Sequence, residues 1–242
     1  MSQPKYQRVV LKISGEGLCK SGKSGIDAEE LHRVAQEIKG VVDLGVQLAL
    51  VVGGGNILRG SDLADRAEIA KPAAHYMGML ATVINAVAIQ EVLESVGIRT
   101  RVQSAFTIDR VCEGFIRRRA IRHLEKGRVV IFAAGTGNPF VTTDTCAALR
   151  AAEIQADVLL KATKVDGVYT ADPVKDSDAR LIEFLSYNDL IDNRLKVMDL
   201  SAVMMCQENH VPIIVFNMKV PGHMREVVLG GRIGTMVSEE HA

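Results

Sequence analysis

The chain has 242 residues, 48% hydrophobic and 24% charged, with 29 basic and 29 acidic side chains and so no formal net charge. That is enough for one large α/β domain or two small ones with ample core, and zero net charge with only 4% aromatics is not the make-up of a nucleic-acid platform. The four cysteines, Cys19, Cys112, Cys146 and Cys206, form no C-x-x-C pair and "MSQPKYQR" carries no apolar signal segment, so reduced thiols and a cytoplasmic protein are expected.

"RVVLKI", Arg8–Ile13, is rich in β-branched residues and reads as the first strand. Lys12 lies inside it. A buried, unpaired lysine is costly, so it needs an anionic partner unless the strand is an edge facing solvent. "SGEG" follows, then "GLCKSGKS", Gly17–Ser24, which matches the P-loop pattern G-x-x-x-x-G-K-[ST] letter for letter. A true P-loop sets its Lys and Ser in the first turn of a helix. Here Asp27 with Glu30 has the form of a capping box opening a helix over Asp27–Leu44, about three residues too late for Ser24 to hold Mg²⁺. No hydrophobic strand ending in Asp completes such a site, and the stretch reads as a polar loop.

"QLALVV", Gln47–Val52, is the second strand and runs into "GGGN". Three glycines let backbone amides approach a phosphate, or form a plain tight turn. Arg59 would add a bidentate phosphate contact. "AAHYMGMLATVINAVAIQ", Ala73–Gln90, has no Lys, Arg, Asp or Glu and opens a helix predicted over Ala73–Val96. It is long enough to raise a membrane span. His75, Asn85 and Gln90 argue instead for burial on most sides, in the core or against another subunit.

A helix over Phe115–Glu125 precedes a strand in "RVVIFAA", Arg128–Ala134. Then comes "GTGNPFVTTD", Gly135–Asp144, the most distinctive stretch. Thr136, Asn138, Thr142 and Thr143 supply neutral donors and acceptors for a polar ring edge and a phosphate, although one of Thr142, Thr143 and Asp144 also has to cap the helix predicted over Thr143–Ile154. The strand "DVLLKA", Asp157–Ala162, ends with Lys161 and Lys164 flanking Thr163, cations of the kind phosphoryl transfer needs. Asp144 would hold two lysines in place or contact Mg²⁺. Asp172, in "VYTADP", serves a nucleotide with Tyr169 against its base, or lies in a solvated Asp-Pro turn. A helix over Leu200–Glu208 and the strand "PIIVF", Pro212–Phe216, follow. The strands are apolar on both faces and alternate with helices, which predicts a three-layer α/β fold with a mainly parallel central sheet, one domain over residues 1–242, and ligands at the carboxyl ends of the strands.

"KISG", "GGGN", "MGMLATVIN", "GTGNPFVTTD", "KATKVDGVYTADP", "KVMDLSA" and "VFNM" occur in this order. Together they resemble the bacterial-type UMP kinases of the amino acid kinase family. The resemblance implies transfer of the ATP γ-phosphoryl group to UMP, giving UDP for pyrimidine nucleotide synthesis, with Mg²⁺ carried by ATP and no metal ligands of the protein's own. It also implies a cytoplasmic homohexamer, activated by GTP and inhibited by UTP, with no nucleic-acid or membrane partner. Carried over by position, ATP contacts fall on Lys12, Ser14, Gly15, Gly55, Arg59, Thr163, Tyr169 and Asp172. UMP contacts fall on Gly54 and on Thr136, Gly137, Asn138, Pro139, Phe140, Val141, Thr142 and Thr143. Lys12, Asp144, Lys161 and Lys164 form the catalytic set. Lys20, Ser21, Gly22, Lys23, Ser24 and Gly25 lie where relatives carry a loop associated with GTP activation. One position departs: the family's Asp on the UMP ribose is His75 here, so either His75 takes the ribose or a neighbour such as Asp65 or Arg66 does. The rival readings are a non-catalytic nucleotide-binding or storage protein on the same fold and a P-loop NTPase built on Lys23.

Overall fold

The computed structural model describes residues 3–58, 68–171, 173, 175–176, 178–193, 195 and 197–239. Its strands are β1 (Arg8–Ile13), β2 (Gln47–Val52), β3 (Thr100–Ser104), β4 (Glu113–Gly114), β5 (Val129–Ala133), β6 (Val158–Thr163), β7 (Val168–Tyr169), β8 (Leu181–Ile182), β9 (Phe184–Ser186), β10 (Ile213–Asn217) and β11 (Thr235–Ser238). The described helices are α1 (Ala28–Val42), α2 (Lys71–Ser95), α3 (Arg117–Glu125), α4 (Thr143–Ile154), α5 (Tyr187–Asp192), α6 (Leu200–Glu208) and α7 (His223–Val228), with a short 3₁₀ turn at Gly15–Leu18.

Nine strands make one sheet in the order β4-β3-β5-β2-β1-β6-β10-β11-β9, parallel except where β10 meets β11. The hairpin β7-β8 stands apart from it. Because strand side chains alternate, each central strand feeds two cores. Val9, Leu11 and Ile13 pack with buried residues of α1, α2 and α7, while Val10 packs with those of α3, α4, α5 and α6. This is the expected three-layer α/β arrangement, with helices on both faces of a mostly parallel sheet.

All five predicted strands form, within a residue of their expected ends. The sheet also takes in "TRVQS", which sequence reading left out. Arg101 and Gln103 break its apolar run, and it is strand only because it pairs with β5 along its length. The helix expected from Phe115 begins at Arg117. The Phe115 amide instead donates to Ser104 O (2.8 Å), extending the β4 register, and its ring meets Phe132 edge-on at 5.5 Å.

Asp27 caps α1, accepting from the Glu29 and Glu30 amides at 3.0 and 3.2 Å. The reciprocal half of the capping box is missing: the Asp27 amide donates to Leu18 O, and Glu30 pairs with Arg33 and Lys219. The helix thus starts at Ala28, past Ser24, and the P-loop reading of Lys23 has no helix to stand on. Helix α2 is long and apolar enough to cross a membrane by composition, yet Ala74, Met79, Ala81, Val83, Ala86, Ile89 and Leu93 are buried in the core.

Candidate active site

β5, β2, β1 and β6 are neighbours and mutually parallel, so their carboxyl ends share one edge. Lys12 on β1 sits in register with Lys161 on β6. Adjacent residues of a parallel pair point to one face, here the α4 face that Val10 and Leu159 also share. Two ammonium groups side by side in a protein interior repel, and the structure answers with Asp144 from the first turn of α4. Its Oδ1 is 2.8 Å from Lys12 Nζ and its Oδ2 is 2.6 Å from Lys161 Nζ. Lys161 Nζ also donates to Val197 O. Lys12 is only 8% exposed on a central strand, so it has the anionic partner that burial demands and is not an edge lysine.

Burial alone would raise the Asp144 carboxyl; the Lys12 and Lys161 charges outweigh it and hold the group below the ordinary carboxylate value. Burial, aided by the Lys12 charge and opposed by Asp144, holds the Lys161 ammonium below the ordinary lysine value. The trio carries one net positive charge in a poorly solvated place. Removing Asp144 would leave two uncompensated buried cations, a loss of about 3–5 kcal/mol.

The two glycine turns beside this cluster are packed backbone to backbone. A Cβ on Gly15 would lie 2.3 Å from Asn56 Oδ1 and 2.8 Å from the Gly55 amide nitrogen; one on Gly53 would lie 2.9 Å from the Gly15 nitrogen. A Cβ on Gly54 would meet Gly78 O at 2.8 Å and Ala81 Cβ at 2.9 Å on α2. None of Gly53, Gly54 and Gly55 has a positive φ. These glycines serve close approach, not an unusual backbone conformation. Ser14 leads into the 3₁₀ turn, its carbonyl accepting from the Gly17 amide.

The β5 strand end is different. Ala134, Gly135, Gly137 and Phe140 all have φ between 56 and 81°, and the loop folds back along the start of α2. Thr82 Oγ1 accepts from the Ala134 amide at 2.8 Å. His75 Nδ1 accepts from the Phe140 amide at 3.3 Å, and the two rings stand 4.9 Å apart. His75 therefore borders the loop Thr136–Thr143 that holds Asn138, Pro139 and Val141. Thr142 turns out to be the cap of α4, accepting from the Asp144 and Thr145 amides. The start of this helix and Asp144 face the same edge, where the helix dipole favours negative charge. Thr142 Oγ1 also donates to Asp199 Oδ2, which accepts from Thr145 Oγ1 at 3.2 Å as well.

The rim is looser. Thr163 Oγ1 donates its one hydrogen within reach of two carbonyls, Val165 O at 2.6 Å and Phe216 O at 3.1 Å. Lys164 lies apart from the buried trio, 3.3 Å from Glu16 on the Ser14–Gly15 side. Tyr169 OH donates to Asp166. Arg59, Asp65, Arg66 and Asp172 fall outside the described residues. The loop Lys20–Gly25 is exposed over Lys20–Ser24, with its end fastened to the glycine turn through Gly25 and Asn56. Sequence reasoning assigned no role to Asp199, Asn56, Asn85 or Thr82. Each lay inside a quoted motif, but nothing in the letters says which side chains turn inward.

Residues 7–217 match the profile of the "Amino acid kinase family". The chain is 56% identical over 239 residues to a protein named uridylate kinase from Paramagnetospirillum magneticum, covering 99% of each. It is 53% identical over 233 residues to the chloroplastic uridylate kinase PUMPKIN of Arabidopsis thaliana, covering 96% of this chain and 69% of that protein. Among solved structures, a UMP kinase from Bacillus anthracis superposes with a TM-score of 0.95 at 38% identity, covering 98% of this chain and 97% of that one. A UMP kinase from Ureaplasma parvum superposes with a TM-score of 0.90 at 36% identity, covering 97% and 100%.

Proposed function

This chain belongs to the amino acid kinase family, and on that premise we propose that its carboxyl-edge site moves the γ-phosphoryl group of ATP onto UMP, giving ADP and UDP in pyrimidine nucleotide metabolism. The observation that carries the reading is the buried Lys12–Asp144–Lys161 trio beside two glycine turns and a helix start.

The chemistry follows from charge. A UMP phosphate oxygen attacks the γ-phosphorus, a new P–O bond forms, and the bond to the β,γ-bridging oxygen breaks as ADP leaves. Both reactants are anions, so their approach is the barrier that cations must lower. Lys12 supplies a fixed positive charge to the moving phosphoryl group, and Lys161 a second one toward the nucleotide phosphates. Asp144 holds both ammonium groups in position and keeps them apart. Lys164 adds a rim charge. The amides of Gly54, Gly55 and Gly15 line the phosphates. Ser14, Arg59, Thr163, Tyr169 and Asp172 complete the ATP side, and the loop Thr136–Thr143 with His75 takes UMP.

Asp144 already faces two lysines, and Mg²⁺ is proposed to arrive on the ATP phosphates, where it would neutralise charge. Tyr76, Met77, Leu80 and Ile84 are exposed on α2, spaced along the helix at i, i+1, i+4 and i+8. Such a stripe supports burial against a second subunit, and a homohexamer is the proposed state. We propose a cytoplasmic enzyme, with GTP as activator and UTP as inhibitor; the tether of the Lys20–Gly25 loop to the glycine turn supports an effector-responsive role for that loop.

The test is ADP release from MgATP with UMP, CMP, AMP and GMP supplied in turn. The proposal expects turnover with UMP well above the others. Release without any acceptor would favour a P-loop-type ATPase, and binding without release a non-catalytic protein.

A further inference from the structure

Asn85 is wholly buried on the uncharged helix α2, and Asn56 is 3% exposed at the end of the glycine turn. A polar amide inside a protein costs free energy unless each donor is matched, and here every amide hydrogen is. Asn85 Nδ2 donates to Gly53 O (2.7 Å) and to Asn56 Oδ1 (2.7 Å). Asn56 Nδ2 donates to Asn85 Oδ1 (3.1 Å) and to Gly25 O (2.8 Å). The Asn56 carbonyl accepts from the Gly25 amide at 2.7 Å. Gly15 packs directly on Asn56 Oδ1, with no room for a methyl group between them. Four separate segments thus rest on one amide pair: the turn after β1, the turn after β2, the 20–25 loop and α2.

We propose that Asn56 and Asn85 are positioning residues for the phosphate-binding turns. They touch no reacting atom; they fix where the Gly53–Gly55 backbone lies relative to Ser14 and Gly15. An apolar residue at position 85 would fill the space equally well, but it would leave Gly53 O and Asn56 Oδ1 without the Asn85 donor and one of the two Asn56 amide hydrogens without its acceptor. Such an external clamp matters at glycine turns, because glycine itself restricts its backbone least. The proposal rests on the reading of these turns as a phosphate site.

The experiment uses direct binding, so that it stands apart from turnover. Kd for UMP and for MgADP is measured calorimetrically for the wild-type chain, Asn85→Asp and Asn56→Asp, together with melting temperature. Asn85→Asp keeps the shape and swaps both donors for an oxygen facing Gly53 O and Asn56 Oδ1. Asn56→Asp keeps the acceptor for Asn85 and removes the donors to Gly25 O and Asn85 Oδ1. Asn85→Ala serves if the buried carboxylate prevents folding. The expected result is a rise in Kd of about tenfold or more for both nucleotides, the scale of losing one well-placed hydrogen bond, with displaced amide resonances of Gly53, Gly54 and Gly55. Unchanged Kd values in folded variants of lower melting temperature would overturn the proposal, leaving the pair a purely structural brace. Absence of nucleotide binding by the wild-type chain would instead overturn the phosphate-site reading on which it rests.

Discussion

His75 offers the sharpest test of how UMP is read. Its Nδ1 accepts from the Phe140 amide at 3.3 Å. In a neutral imidazole the other nitrogen then carries the hydrogen, so a His75 that meets the ribose as proposed would meet it as a donor. A ribose offers two adjacent hydroxyls, and a carboxylate would accept from both. His75→Asp therefore reverses the polarity of the contact. Charge-assisted hydrogen bonds contribute about 1.5–3 kcal/mol. Against that stands the loss of the His75–Phe140 ring contact at 4.9 Å, of the order of 0.5–1.5 kcal/mol. The mid-range balance is about 1 kcal/mol, or roughly 5–10-fold in affinity. The expected outcome is a lower KM for UMP by that factor and a stronger preference for UMP over dUMP, with little change in kcat. Steady-state kinetics on both substrates measures it. An unchanged UMP/dUMP ratio would refute the reasoning and move the ribose contact elsewhere.

Three further outcomes are expected. Lys23→Ala leaves basal turnover within about threefold, because an exposed loop residue makes no contact special to the transition state; abolished turnover would restore the P-loop reading. Sedimentation at micromolar concentration shows a species well above monomer mass, and Ile84→Glu, which puts a charge on the exposed stripe of α2, shifts it toward monomer; a clean wild-type monomer contradicts the interface. Since burial holds the Lys161 ammonium of the free chain below the ordinary lysine value of 10.5, and the proposed reaction needs it charged, kcat/KM, which reports the free enzyme, falls on the alkaline side at a pH below 10.5. A flat profile to that pH would show that the Lys161 charge is not required.

Much of this was legible in the letters because the decisive residues sit at strand ends. Apolar runs located β1, β2, β5, β6 and β10, and the polar residues directly after four of them marked the site. Lys12 announced itself as a charge in a run too apolar to leave it exposed, and Asp144 was the carboxylate at hand. What stayed hidden depends on contacts between distant segments. "TRVQS" has no strand signature of its own and becomes strand by pairing with β5. Lys12 and Lys161 could be named, but their register side by side is a property of the sheet. The glycines of "GGGN" read either as an opening for amides to approach a phosphate or as a plain tight turn; the packing of Gly54 on α2 and of Gly53 on the Gly15 turn, a close approach of protein to protein, is visible only in the structure. Asn56 and Asn85 are 29 residues apart, and no local pattern links them.

The central claim is that the Lys12–Asp144–Lys161 trio lowers the barrier to phosphoryl transfer between two bound nucleotides. The most direct measurement is single-turnover formation of UDP from saturating MgATP and UMP, compared between the wild-type chain and Lys12→Ala. One preorganised charge removed from the reacting group predicts a fall of roughly 10²–10³ in the rate of the chemical step, with nucleotide affinities little changed. A Lys12→Ala rate within tenfold of wild type, under conditions where both nucleotides are bound, would contradict the account.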